Sequence, residues 1–432
     1  METLDAWAQR QFGAAARGLA ASVSAVTLVK RRPRFGQTQR PLRGAIVASP
    51  VPADYDPEPD YFFHWYRDSA LVIDALRQAA LPDADRHFAD FVGFSAALAR
   101  LDGRQPAAGA APPATVAAAD RQYLRSADEL AAVHDAAILG EARVNPDGTL
   151  DILRWARPQH DGPALRALAV LRWLASRPVS GAPAAAAAEL LRADLAYTLE
   201  HGARPCYGLW EEDSGLHYHT LCVAGAALEA GADWLAVRGE AAAAQASRAQ
   251  ARRCFALLDT CWDASRGHYR ARVEAAAPAH RLLDSAVVLA ALHAGRAAAT
   301  HSVRDARMLA TLDALDALFA ARYPINAARG RQGPALGRYD GDRYYAGGAY
   351  YFATFAGAEL CYRAAAGVGT AAARELLMRG DAYLETVRAY TPANGELSEQ
   401  FDQRTGAPAS ARQLAWSYAA CLTCLAARRA AQ

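Results

Sequence analysis

Twelve stretches in which apolar residues recur at helical spacing run through this chain from end to end. They lie at about 4–24, 64–80, 84–102, 161–177, 184–202, 214–238, 240–262, 282–295, 302–322, 349–366, 370–390 and 410–429. Apolar side chains at i, i+3, i+4 and i+7 form a stripe that must be buried against a neighbouring element. Only brief pieces such as Gly44-Ala45-Ile46-Val47-Ala48 read as strand, and alanine, the strongest helix former, is abundant throughout. The pattern predicts an all-α chain. No Ser/Gly linker, charge block or shift in composition divides residues 1–432, so a single large domain is expected.

The polar and aromatic clusters are not spread evenly over these helices. Residues 61–68, 155–161, 210–212, 338–350 and 398–400 each stand at or just before the start of an even-numbered helix. Residues 281–284 fit the eighth helix more weakly, and the odd-numbered helices carry no such cluster. Six antiparallel hairpins closed into a ring would explain this, with even helices as the inner wall, odd helices as the outer wall, and all six inner N-termini opening onto one face. The expected architecture is an (α/α)6 barrel with a funnel at that face. A solenoid would show a fixed repeat period, and none is present. The connection from 103 to 160 is long for a compact domain. Residues 103–118, with their Pro/Ala run, are expected to be a flexible surface loop; a short helix follows around 119–138, and the end of the connection brings Trp155 to the funnel.

A net charge of +2 points to neither nucleic acid nor an anionic membrane surface. No run of about 18 apolar residues occurs, and Met1-Glu2-Thr3-Leu4-Asp5 is not followed by a basic-then-apolar segment, so a cytoplasmic location is expected. Seven cysteines, an odd number, fit free thiols packed as small hydrophobes. Cys421 and Cys424 have metal-ligand spacing but lie inside a helical pattern with no second ligand pair, and His217 and His219, two apart on a helix, point to different faces. No metal and no cofactor are expected.

Leu209-Trp210-Glu211-Glu212 sets two carboxylates behind an indole, ahead of a helix expected to begin near Ser214. Like-charge repulsion and desolvation raise a carboxyl pKa, which suits a proton donor; an acidic first turn facing the helix macrodipole accounts for the same residues without chemistry. Tyr61, Trp65, Arg67 and Asp68 combine aromatic faces with a hydrogen-bond donor and acceptor, the mixture a polyol pocket needs. Trp155, Arg157, Gln159 and Asp161 precede the fourth helix, with Asp161 as its N-cap and Pro163 in its first turn. Arg338, Tyr339 and Tyr350 come from a glycine-rich loop, and Glu399 follows Ser398 shortly before the last helix. Ring closure would bring Glu211 and Glu399 to opposite rims of one funnel. Two carboxyls across a pocket are what glycosidic cleavage requires.

With these motifs in this order, the chain resembles the glucoamylase family, glycoside hydrolase family 15, from residues 44–50 to the segment Ala411-Arg412-Gln413-Leu414-Ala415-Trp416-Ser417-Tyr418. The resemblance implies an (α/α)6 barrel and inverting, exo-acting hydrolysis that releases β-D-glucose from non-reducing ends. It implies Glu211 as general acid, Glu399 as general base, Arg67 and Asp68 gripping the terminal glucose, and Tyr61 and Trp65 as walls of the innermost subsite. Trp155, Glu212 and Arg338 would bind the next sugar; Arg157, Asp161, Trp210, Tyr339 and Tyr350 complete the expected substrate-binding set. Ala346-Gly347-Gly348-Ala349-Tyr350 departs from the Asn-Gly-Asn-Pro-Trp type run of many relatives, and neither a starch-binding module nor a β-sandwich domain accompanies these helices. Short soluble malto- and isomalto-oligosaccharides are therefore expected substrates rather than raw starch. A trehalase or dextran-acting glucosidase on the same site, and a sugar-binding regulatory barrel without turnover, are the other readings.

Overall fold

The computed structural model describes residues 2–54, 58–79, 81, 83–105, 116–274, 281–296, 299–327, 333–345 and 347–432. Residues 106–115, most of the expected surface loop at 103–118, lie outside them. Twelve long helices dominate: α1 Leu4–Ser22, α2 Tyr66–Ala79, α3 Ala84–Leu98, α4 Asp161–Ser176, α5 Gly181–His201, α6 Tyr218–Val237, α7 Ala241–Asp259, α8 Ala286–Ala294, α9 Ala306–Arg322, α10 Tyr351–Ala365, α11 Thr370–Tyr390 and α12 Ala415–Ala431.

The even helices touch in the cyclic order α2, α4, α6, α8, α10, α12 and back to α2, and the odd helices pack around them. The chain is a closed (α/α)6 barrel, as the spacing of its clusters predicts. Burial separates the two walls. Outer α7 is buried at Ala244, Ser247, Ala251, Cys254 and Leu258, the single stripe of a helix with one face on the core. Inner α10 is buried at nearly every position from Tyr351 to Ala365, because it has helices on both flanks and another behind. Gly225 on α6 shows how tightly the layers approach, since a Cβ there would come within 2.9 Å of the Phe255 ring on α7. Helix α6 is long and apolar enough to cross a membrane by length and composition, yet it is an inner helix of this ring, mostly buried and interrupted by His219, Glu229 and Asp233.

The inner helices start later than periodicity suggests: α6 at 218 rather than 214, α8 at 286 rather than 282, α10 at 351 rather than 349, α12 at 415 rather than 410. The intervening residues form a crown of very short antiparallel ladders at the N-terminal rim. His64–Trp65 pairs with Arg143–Val144, Cys206–Tyr207 with Ser214–Gly215, and Gln400–Phe401 lies between Ala349–Tyr350 and Pro408–Ala409. Two-residue strands are too brief to show an alternating pattern in sequence. Gly44 to Ala48, read as strand, makes only an isolated bridge between Ile46 and Val23. The helix expected near 119–138 is three short pieces, Ala118–Tyr123 and Asp135–Gly140 as 3-10 turns and Ala127–Ala131 as α-helix, the last closed by a capping box between Ser126 and Glu129. All seven cysteines are free and buried, Cys421 and Cys424 within α12.

Candidate active site

The ladder of Cys206–Tyr207 with Ser214–Gly215 makes residues 209–213 the tip of a hairpin, not the mouth of a helix. Gly208 is required at its base, where a Cβ would lie 2.5 Å from His217 Nδ1. Glu211 takes a left-handed conformation, φ 62°, and its N–H donates to the Gly208 carbonyl at 2.9 Å. Such a conformation costs a non-glycine residue about 1 kcal/mol or more and persists only where the surroundings hold it. Here they do. Glu211 Oε1 accepts from Trp65 Nε1, Arg67 Nη2 and Gln159 Nε2, each at 2.9 Å, and Oε2 accepts from Trp155 Nε1 at 2.6 Å.

Glu212, next along the tip, goes to different partners. Its carboxylate is ion-paired with Arg281 and with Arg338 Nη2 at 2.8 Å, and it accepts from the Tyr339 hydroxyl at 2.6 and 2.8 Å. The expected crowding of Glu211 by a like-charged neighbour is thus corrected: two guanidinium groups take up the charge of Glu212. Arg338 is itself held by Asp342, with Nε donating at 2.7 Å.

Glu399 arrives from the other side of the ring, immediately before the central strand of the three-stranded ladder. It is buried, 9% exposed, and one carboxyl oxygen accepts from the Ser410 hydroxyl. Burial pushes its carboxyl up to about 7, against the opposing influence of Ser410 and Arg338. Asp68 is pushed up to about 6, again by burial, with Arg67 Nε 3.7 Å away acting in the other direction.

Glu211 and Glu399 line one cavity of about 280 Å³. Tyr61, Trp65, Arg67, Asp68, Trp155, Trp210, Glu212, Arg338 and Tyr350 line it too. Closure of the ring therefore unites residues far apart in the chain. Trp65 and Trp155 meet edge to face at 5.9 Å, and the Arg143 guanidinium lies 4.7 and 3.8 Å from their rings.

Three of the expected residues are placed elsewhere. Arg157 does not reach the cavity; it pairs with Glu141 at 2.6 Å and Asp151 at 2.9 Å, and Asp151 also holds Arg143, so Arg157 braces the tryptophan wall from behind. Asp161 is not an N-cap. It is the first residue of α4, preceded by His160, and its buried carboxylate accepts from Arg67 Nη1 at 3.1 Å instead. Tyr339 lies in a small cavity behind the hairpin tip, where it holds Glu212. Of the histidine pair, His219 faces His293, with ring nitrogens 3.0 Å apart, while His217 precedes α6, and no cluster of three metal-ligating side chains occurs among the described residues.

Other lining residues went unread in the sequence. Phe352 and Trp416, stacked at 4.0 Å, close part of the wall, and Tyr344 meets Tyr61 hydroxyl to hydroxyl at 2.7 Å. Phe352 and Trp416 carry the same apolar periodicity as core residues. Tyr344 falls inside the segment 338–350, but nothing local tells which of its side chains face inward. Ser410, eleven positions after Glu399, is brought to it only by the ladder turn.

Comparison with known proteins identifies the family. The family model described as Glycosyl hydrolases family 15 matches residues 32–426. The chain is similar to Glucoamylase-1 of Schizophyllum commune, 28% identical over 427 residues that span 89% of this chain and 69% of that protein. It is similar to the probable glucoamylase of Schizosaccharomyces pombe, also 28% identical, over 90% of this chain and 85% of that one. In fold it matches the solved glucoamylase of Saccharomycopsis fibuligera with a TM-score of 0.80 at 21% identity, over 99% of this chain and 96% of the other. With the match covering nearly its whole length and an (α/α)6 barrel carrying two carboxyls in one cavity, the chain belongs to glycosyl hydrolase family 15 and is a glycoside hydrolase of the glucoamylase type.

Proposed function

We propose that the protein removes single glucose units, as the β-anomer, from the non-reducing ends of short soluble malto- and isomalto-oligosaccharides. The observation that carries this reading is the presence of Glu211 and Glu399, from loops nearly two hundred positions apart, on the wall of one cavity. Glu211 gives a proton to the glycosidic oxygen, and Glu399 takes one from the water that attacks the anomeric carbon from the opposite side. An inverting site keeps its carboxyls ~6.5–9.5 Å apart so that this water fits between base and sugar. Arg67 and Asp68 offer a donor and an acceptor to the terminal glucose, with Tyr61 and Trp65 as walls, and Trp155, Glu212 and Arg338 face the next unit. The expected site of action is the cytoplasm. The test is hydrolysis of maltose, isomaltose and trehalose, with the released anomer followed by NMR. β-Glucose from maltose is expected first; α-glucose would overturn the inverting mechanism, and release from trehalose alone would move the substrate assignment.

The titration of Glu399 gives a second check. A general base works only when ionised, and burial places this carboxyl at about 7, so kcat/KM is expected to rise as pH rises through that value. The Ser410 hydroxyl donates to the carboxyl and favours its ionised form. Ser410→Ala is therefore expected to move the acidic limb of the kcat/KM profile upward by about one pH unit, the size of one lost charge-assisted hydrogen bond. A limb that stays in place in Ser410→Ala would mean that Glu399 does not govern it.

A further inference from the structure

The cluster at 281–284, the weakest of the six before the inner helices, does not itself line the catalytic cavity. Asp284 lies behind the hairpin tip, in the small cavity that also holds Tyr339. It is buried, and its two carboxyl oxygens accept the Trp210 indole N–H at 3.0 and 2.8 Å. One of them also accepts the Ala286 N–H at 2.7 Å, so the same carboxyl ties the first turn of α8 to the indole. Its backbone bridges to Tyr339, the residue that holds Glu212. The Trp210 ring is flanked by Tyr350, Phe352 and Trp416, which line the same cavity, with centroids 6.1–6.4 Å away.

We propose that Asp284 is a positioning residue for the leaving-group sugar: it holds Trp210, and Trp210 presents its ring to the sugar that departs. Two features carry this. Because its N–H is taken by Asp284, the indole offers the cavity an apolar face and no hydrogen bond. Trp210 also directly precedes Glu211 on the same hairpin tip, so the ring and the acid are set by one short loop. A proton donor must face the departing oxygen, so the residues on its hairpin tip lie on the leaving-group side. The inference rests on the hydrolase reading given above and adds a specificity determinant to it.

The test compares Asp284→Ala, Asp284→Asn and Trp210→Phe on two substrates, maltose, which has a departing sugar, and α-D-glucosyl fluoride, which has none. Asp284→Ala is expected to lower kcat/KM on maltose about tenfold, the size of one lost hydrogen bond, and to change it on the fluoride by less than about threefold. Asp284→Asn keeps an acceptor oxygen and is expected to restore maltose turnover to within about threefold of wild type. Trp210→Phe removes the indole N–H without touching α8; it is expected to show the same selectivity for maltose, and adding Asp284→Ala to it should cost little more. Equal losses on both substrates, or failure of Asp284→Asn to restore maltose turnover, would overturn the proposal, and the Trp210→Phe arm decides it should Asp284→Ala not fold. Wild-type protein that turned over neither substrate would remove the hydrolase reading instead. The proposal would then be judged by calorimetric titration, where Asp284→Ala is expected to weaken maltose about tenfold and leave glucose unchanged, and equal affinities would overturn it.

Discussion

Glu211→Gln is expected to lower kcat on maltose by roughly 10²–10⁴-fold, the range that general acid–base help supplies, and to leave turnover of α-D-glucosyl fluoride within about tenfold of wild type. The contrast follows from the leaving group: a glycosidic oxygen must be protonated to depart, whereas fluoride departs without a proton. Gln is nearly isosteric, and with its amide oxygen in the place of Oε1 it keeps the bonds from Trp65, Arg67 and Gln159 and loses only that from Trp155, so the hairpin tip should hold its shape. Glu399→Ala is expected to lose both substrates, because both need an activated water, and to recover in part with azide, yielding β-glucosyl azide. An anion that needs no deprotonation can attack where the base is missing. Glu211→Gln losing both substrates equally, or Glu399→Ala sparing the fluoride, would exchange the two roles or end the assignment. Circular dichroism of each variant distinguishes lost chemistry from lost fold.

Arg67→Ala is expected to destabilise the protein by about 3–5 kcal/mol, the cost of leaving buried charges without their partner. Arg67 is 4% exposed and spans Glu211 Oε1 at 2.9 Å, Asp161 Oδ2 at 3.1 Å and Gln159 Oε1 at 2.9 Å, with Asp68 3.7 Å away. Removing it strands three carboxyls in one buried space. Arg67→Lys keeps the charge but cannot span Glu211, Gln159 and Asp161 from a single ammonium, so it should fall between wild type and Ala. Denaturant midpoints measure this directly. A loss below about 1 kcal/mol for Arg67→Ala would show that solvent, not Arg67, satisfies these carboxyls.

Arg67 also shows where reading a sequence stops. That an arginine beside an aspartate at the start of an inner helix would line the cavity was legible from residue type and position. That it spans Glu211 and Asp161, 144 and 94 positions away, was not. Asp161 is the clearest case of a local rule losing to a tertiary partner: its place at the start of α4, with Pro163 two residues on, reads as a cap, but a buried guanidinium attracts the carboxylate more strongly than free backbone N–H groups do. Arg157 fails for a related reason, because two carboxylates behind the tryptophan wall hold it away from the cavity.

The barrel itself was present in the order of residues, since helical periodicity is a local property and twelve stripes of it can all be buried only by packing against one another. The alternation of clusters also survives in one dimension, as every second helix meets the same face. Which side chains of those clusters converge could not be written there. Ladders of two residues, too brief to have a pattern, set the crown that aims Glu211, Glu399 and Ser410, and Arg67 reaches Glu211 from a different hairpin of the ring. Periodicity is summed over many residues and tolerates local noise. The direction of one carboxyl depends on a few contacts that exist only once the ring has closed.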